Sequence, residues 1–254
     1  MNLLALTRRE ILLGAGSLAL LGLALLAPPL AQPPHIHAYA DTRLWLGLPR
    51  AGDVWSNAPF ALFGLWGWRV LRGVPAAALA PAARALAALF FAGLVLTALA
   101  SGGYHLRPDD AGLFIDRLGM SVAFAGLLGL GAATAVSARA GVALAAAVLL
   151  AGAASAALCW RSGNMLPWAV LQGGGVVLLL ALAMMQPLPG APTVRWALVI
   201  ALYALAKAAE SADHAVFAVT GQLVSGHSLK HLIAALAAWP VIGALRRLRQ
   251  NARA

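Results

Sequence analysis

The chain has 254 residues, of which 62% are hydrophobic and 10% charged, with a mean hydropathy of +0.84. That balance excludes an ordinary soluble domain and marks an integral membrane protein. The formal net charge of +10 would suggest nucleic acid in a soluble chain, but the arginines lie mostly in short connections between apolar runs; they exclude a nucleic-acid partner and report orientation instead.

Apolar runs of spanning length are read at about 11–31, 55–71, 84–103, 112–135, 140–159, 165–186, 195–218 and 228–245. Each approaches the ~20 residues that cross a bilayer as a helix. None alternates polar with apolar positions, so a barrel is excluded and an all-α polytopic transmembrane helical bundle is expected. Arg8 and Arg9, then Arg69, Arg72 and Arg84, then Arg139, Arg195, and finally Arg246, Arg247, Arg249 and Arg253 fall on alternate connections. The positive-inside rule assigns all of them to the cytoplasm.

Residues 1–34 admit two readings. Arg8-Arg9 ahead of an apolar stretch and Pro28-Pro29 resembles a cleaved signal, even of twin-arginine type, and equally a retained helix. Retention is favoured because no clear small-x-small cleavage site precedes His35. The chain therefore divides into an N-terminal hydrophobic segment 1–34, a seven-helix core 35–245 and a basic cytoplasmic tail 246–254. The C-terminus is cytoplasmic in either reading.

With this orientation, all six histidines and every acid except Glu10 map to the outer connections or the outer halves of helices. His35 and His37, in a proline-rich stretch, read as interfacial. Asp41 and Asp53, with Ser56 and Asn57, form an oxygen-rich segment that could hold a hard cation such as calcium, although two acids are few for six or more ligands. Capping by Ser56 or Asn57 ahead of Pro59 accounts for part of it equally well.

Ser101 and His105 sit one helical turn apart, so they share a face at the end of the third run. Asp109 and Asp110 read as caps of the next helix. Asp116 lies about one turn inside that helix, where it can face back toward His105. An ionisable group at such depth is costly and is a functional candidate. Its bland alternative is a salt bridge to Arg117, but adjacent helical positions point apart. Cys159 reads as a buried inert thiol, and Trp160 and Trp168 as an aromatic belt.

Lys207, Glu210 and His214, with Asp213 beside them, read as a polar stripe on the seventh run, with a Lys207/Glu210 ion pair as its preferred explanation. His227 and His231 open the last run at i, i+4, the spacing that two ligands of one metal require on a helix. With His105 they make three histidines, the ligand set of a zinc site that keeps a fourth position open. A pair of hydrogen-bonded core histidines is the alternative. There is no glycine-rich phosphate loop, no nucleophile elbow and no repeat.

Ser101-x3-His105, Asp116 and His227-x3-His231 together resemble the alkaline ceramidases, within the group of seven-helix membrane hydrolases that includes the progestin and adiponectin receptors. The segments Asp53-Val54-Trp55-Ser56-Asn57, Gly103-Tyr104-His105-Leu106, Asp116-Arg117-Leu118 and Ser225-Gly226-His227-Ser228-Leu229-Lys230-His231 resemble the bacterial branch. The resemblance covers about residues 35–245. It implies that His105, His227 and His231 bind zinc, that Ser101 and Asp116 complete the site, and that the N-acyl bond of a ceramide-like lipid is hydrolysed in a bacterial inner membrane.

It also implies a calcium site at Asp53 and Asp41, though the acids here are sparser than in members that have one. Zinc held by neutral imidazoles lowers the pKa of its water to about 7, which makes hydrolysis accessible at neutral pH. Two alternatives stay open: a non-catalytic lipid-binding receptor with a structural zinc, and a hydrolase of another acyl lipid. A metal-free Ser101/His105 hydrolase is disfavoured because it gives His227 and His231 no task.

Overall fold

The computed structural model describes residues 5–252; Arg253, one of the arginines used to orient the chain, lies outside the described residues. The architecture is an all-α helical bundle. Its helices are α1 (Arg8–Leu26), α2 (Ala51–Trp55), α3 (Ala58–Arg72), α4 (Pro81–Leu106), α5 (Asp110–Ala135), α6 (Ala138–Ser162), α7 (Leu166–Ala183), α8 (Trp196–Ser211), α9 (Asp213–Val219), α10 (Gly226–Leu236) and α11 (Trp239–Asn251). A two-stranded hairpin, β1 (Leu44–Trp45) and β2 (Leu48–Pro49), lies between α1 and α2.

Among the described residues, six helical stretches are long and apolar enough to cross a membrane: α1, α4, α5, α6, α7, and α10 with α11 as one run of 26 residues. These make the chain an integral membrane protein. Two of the predicted spans come out short. α3 has 15 residues and stops at the Gly73 cap, while α8 has 16 and stops at Ser211. The predicted run 195–218 is therefore two helices, with Ala212 out of helical geometry between them (φ −101°, ψ 22°). That break divides the expected Lys207–Glu210–His214 stripe, so the three residues do not share one helix.

Side chains explain the helix ends. Thr7 and Glu10 form a reciprocal capping box on α1. Asp109 caps α5 by accepting from Gly112 N, as expected, whereas Asp110 instead accepts from Gln32 and pairs with His37. The central helices α4 and α5 approach closely because Gly93 carries no side chain: a Cβ there would collide with the Ala123 backbone. Phe91, Leu130, Leu182, Ile242 and Leu245 fill the interior.

α1 is fastened at both ends. Near its start, buried Glu10 accepts from Arg139 Nε at 2.6 Å and from Ser137 Oγ at 2.6 Å, while Arg9 donates to the carbonyls of Ala135 and Gln186. Beyond its end, Gln32 N donates to Gly163 O at 2.8 Å and Met165 N to Leu30 O at 2.7 Å. Cys159 is a buried free thiol whose Sγ donates to Gln32 Oε1. Trp160 is about half exposed and stacks on Phe114, but Trp168 is buried beneath the Arg117 guanidinium, 5.3 Å from its ring centre. Trp168 is thus part of the interior, not of a belt.

The two ends of the bundle differ chemically. α4 carries near its start Arg84, which donates to the carbonyls of Leu71, Val74 and Pro75, and near its end, about 32 Å along at 1.5 Å per residue, His105.

Candidate metal centre

Four of the site's residues come from the facing ends of α4 and α5 and the others from the start of α10. α4 contributes Ser101 and His105, and α5 contributes Asp116 with Arg117 behind it. α10 presents His227 and His231 from its first two turns. All three histidines are buried, and one nitrogen from each lies within 4.8 Å of the others. Among the described residues this is the only group of three or more such side chains that could hold a metal ion.

α10 is set in place by polar contacts. Ser225 caps it by accepting from Ser228 N at 2.8 Å, and the hydroxyls of Ser225 and Ser228 both donate to Asp53 Oδ1, at 2.9 and 2.7 Å. Asp213 receives the His227 backbone N–H at 2.8 Å through one oxygen and the Ala40 N–H at 2.9 Å through the other. Gly226 is required here, since a Cβ would run into the Ala209 carbonyl of α8. A carboxylate at a helix N-terminus is also favoured by the helix dipole.

The donors fit a metal. His231 Nδ1 lies 2.8 Å from Ser56 Oγ, and that hydroxyl already donates to the Asp53 carbonyl at 3.0 Å. An imidazole that donates through Nδ1 satisfies this arrangement and leaves Nε2, which is buried and without a partner, with its lone pair. His105 Nε2 and His227 Nε2 face each other at 3.1 Å. Two nitrogens bonded to tetrahedral zinc at about 2.0–2.1 Å would stand about 3.3 Å apart, so small shifts admit the ion. Neutral imidazoles are also the ligands that zinc, among other transition metals, accepts.

His227 and His231 line a cavity of about 570 Å³, into which Tyr39, Ser101, Asp116 and Lys230 also open, and His105 stands against His227 behind it. Asp116 Oδ1 is buried with no protein partner, and the Ser101 hydroxyl lies beside the same carboxyl group. Arg117 points instead at Trp168, so the alternative Asp116–Arg117 pair does not form. Leu113, Met120 and Tyr203 supply apolar wall. A divalent ion with an open position, an acid–base group and a hydroxyl donor would there face a chamber large enough for part of a lipid.

The two acids expected at a calcium site have different protein partners. Asp41 accepts from Arg43 through both of its oxygens, at 2.8 and 2.7 Å. Burial pushes its carboxyl up, but these bonds outweigh it and hold the group below the usual carboxylate range. Asp53 gives one oxygen to two serines, and burial pushes it up to about 6 in spite of them. Asp53 Oδ2 is buried without a partner, and among the described residues no third acid lies close enough to share an ion with the two. Nor do Ser56 and Asn57 cap α3 through their side chains; Asn57 Nδ2 donates to the Asp53 carbonyl at 2.8 Å, and both residues stand behind His231.

Several contributors have no signal in the spacing of the chain. The Tyr39 ring packs on His105 and His227, with centroids 4.9 and 4.3 Å away. Its hydroxyl joins those of Tyr104 and then His37, through contacts of 2.8 and 2.7 Å, and His37 reaches Asp110 at 3.1 Å. His37 thereby reaches the centre only through Tyr104, whereas His35 lines the cavity. Burial and the neighbouring Tyr104 push the Tyr39 phenol up, so it stays a donor. The Lys207–Glu210 ion pair forms as expected, but Glu210 also holds Lys230 at 3.0 Å. No protein-family model matches this chain, and no curated protein matches it either.

Proposed function

We propose that the protein is a zinc-dependent intramembrane amidase that cleaves the N-acyl bond of ceramide-like lipids. The observation that carries this reading is the unpartnered Asp116 oxygen in a cavity lined by His227 and His231, two of the three convergent imidazoles. An uncompensated carboxylate inside a membrane protein is costly unless it has work to do.

His105, His227 and His231 would hold the metal, which when bound supplies Lewis acidity and an acidified water. Asp116 accepts the proton of the attacking water and returns it to the leaving amine. Ser101 donates to the carbonyl oxygen as negative charge develops there. The apolar wall around Leu113, Met120 and Tyr203 receives acyl chain. A receptor that keeps the same metal as a structural staple would have no need of a free carboxylate aimed into the cavity. The arginine distribution supports an orientation with the histidines on the extracytoplasmic side and the C-terminus in the cytoplasm; a bacterial inner membrane is what the resemblance implies.

The test is release of fatty acid from N-acyl lipids and acyl esters in detergent or liposomes, with zinc content measured in parallel. Asp116→Asn is expected to keep zinc and lose about 10²–10⁴-fold in rate. Ser101→Ala is expected to lose about 10²–10³-fold. Zinc-loaded wild type and Asp116→Asn proteins that are equally inert on every lipid would sink the enzyme reading in favour of a lipid-binding receptor.

A further inference from the structure

The chain contains sixteen arginines but only two lysines, Lys207 and Lys230. Both lysines line the cavity that His227 and His231 also line, and both meet the same carboxylate, Glu210. Elsewhere positive charge is always arginine. An ammonium differs from guanidinium in being a compact point charge with three rotatable donors, suited to one oxygen atom and not to a planar fork.

Lys230 is the inner member of the pair, with its side chain 18% exposed against 46% for Lys207. Its ammonium makes two contacts, one with Glu210 Oε1 at 3.0 Å and one with His227 Nε2 at 3.2 Å. The second is with a nitrogen that a metal would claim. Once that lone pair is taken, a Lys230 N–H on the cavity wall loses its acceptor. An anionic oxygen of a bound ligand satisfies both the lost hydrogen bond and the charge.

We infer that Lys230, steadied by Glu210, is an anion-binding residue of this cavity. It takes the negative oxygen that forms on the acyl carbonyl and then the carboxylate of the released fatty acid. The inference rests on the amidase reading for the first of these roles and not for the second. In the reaction, water adds its oxygen to the acyl carbon as the carbonyl π pair moves onto the carbonyl oxygen, beside Lys230 and Ser101. Asp116 holds the proton given up by water. The oxyanion then collapses, the C–N bond breaks, the proton passes to nitrogen, and a fatty acid and an amine result, the acid ionising in place.

The test compares retention of radiolabelled palmitic acid and hexadecanol on the zinc-loaded, detergent-solubilised protein, alongside amide turnover. Lys230→Gln is expected to keep zinc, weaken palmitate about tenfold or more and leave hexadecanol unchanged, as loss of one charge-assisted hydrogen bond implies. Lys207→Gln, which leaves the Lys230 charge in place, is expected to keep palmitate within about threefold. Equal weakening by Lys207→Gln and Lys230→Gln would reduce the effect to general loss of positive charge and overturn the proposal. So would unchanged palmitate binding in Lys230→Gln.

Turnover separates the two roles. A fall in kcat with Lys230→Gln places the ammonium on the oxyanion, and a fall only in product inhibition by palmitate places it on the product. If no amide is cleaved yet palmitate binding still depends on Lys230, the carboxylate site stands and the amidase reading falls. If amides are cleaved and Lys230→Gln changes neither rate nor palmitate binding, the amidase reading stands alone.

Discussion

Ser56 Oγ and His231 Nδ1 lie 2.8 Å apart, and the serine's own proton is spent on the Asp53 carbonyl. The relationship suits the tautomer of His231 that donates through Nδ1 and leaves its other nitrogen, with its lone pair, near His105 and His227. A group that orients a ligand histidine in this way is worth about 10–100-fold in metal affinity. Ser56→Ala is accordingly expected to bind zinc about 10–100-fold more weakly in a chelator competition. His227→Ala/His231→Ala should abolish stoichiometric zinc, and His35→Ala, which removes no ligand, should not. Full retention of zinc in the double variant would end the metal assignment.

Asp53 gives a dependence on pH whose sign can be worked out. Burial raises its folded-state pKa to about 6 from the ordinary 3.8, so the folded protein holds this proton more tightly than the unfolded chain does. Stability is therefore lost as pH rises from about 4 to about 6 and is constant above that. Asp53→Asn keeps an acceptor for Ser225 and Ser228 while removing the charge. It is expected to raise Tm at pH 8 by about 2–6 °C and to leave Tm at pH 4 nearly unchanged. A Tm at pH 8 that rises with calcium in the wild type but not in Asp53→Asn would establish the calcium site.

The fastening of α1 predicts that the N-terminal helix contributes to the stability of the bundle. Glu10→Ala leaves the Arg139 and Ser137 donors without the carboxylate they share. A lower Tm and faster proteolysis near residue 27 are expected, with Arg139→Ala falling in the same direction. Tm values indistinguishable from wild type in both variants would show that the latch is dispensable.

Orientation is checked with reporters. One fused after Ala254 should read as cytoplasmic and one inserted at Gly163, between α6 and α7, as external. The reverse pattern would move the histidines to the cytoplasmic face, with lipid entering from the inner leaflet.

Apolar length and helical spacing determine much of this protein without its structure. A bundle was legible because hydrocarbon forces backbone groups to bond within a helix, and the pairs Ser101/His105 and His227/His231 were legible because one helical turn returns to the same face. What spacing could not show is contact between segments far apart in the chain. The break of α8 at Ala212 depends on Asp213 bonding to Ala40 and His227, and the fate of Asp53 depends on two serines 172 and 175 residues later. The same holds for Tyr39 against the histidine rings, Ser56 behind His231 and Glu210 between its two lysines. Local periodicity says which face a residue occupies; only the packing of helices decides what that face meets, and in a membrane interior that partner sets whether a polar group is a cap, a counter-charge or a ligand.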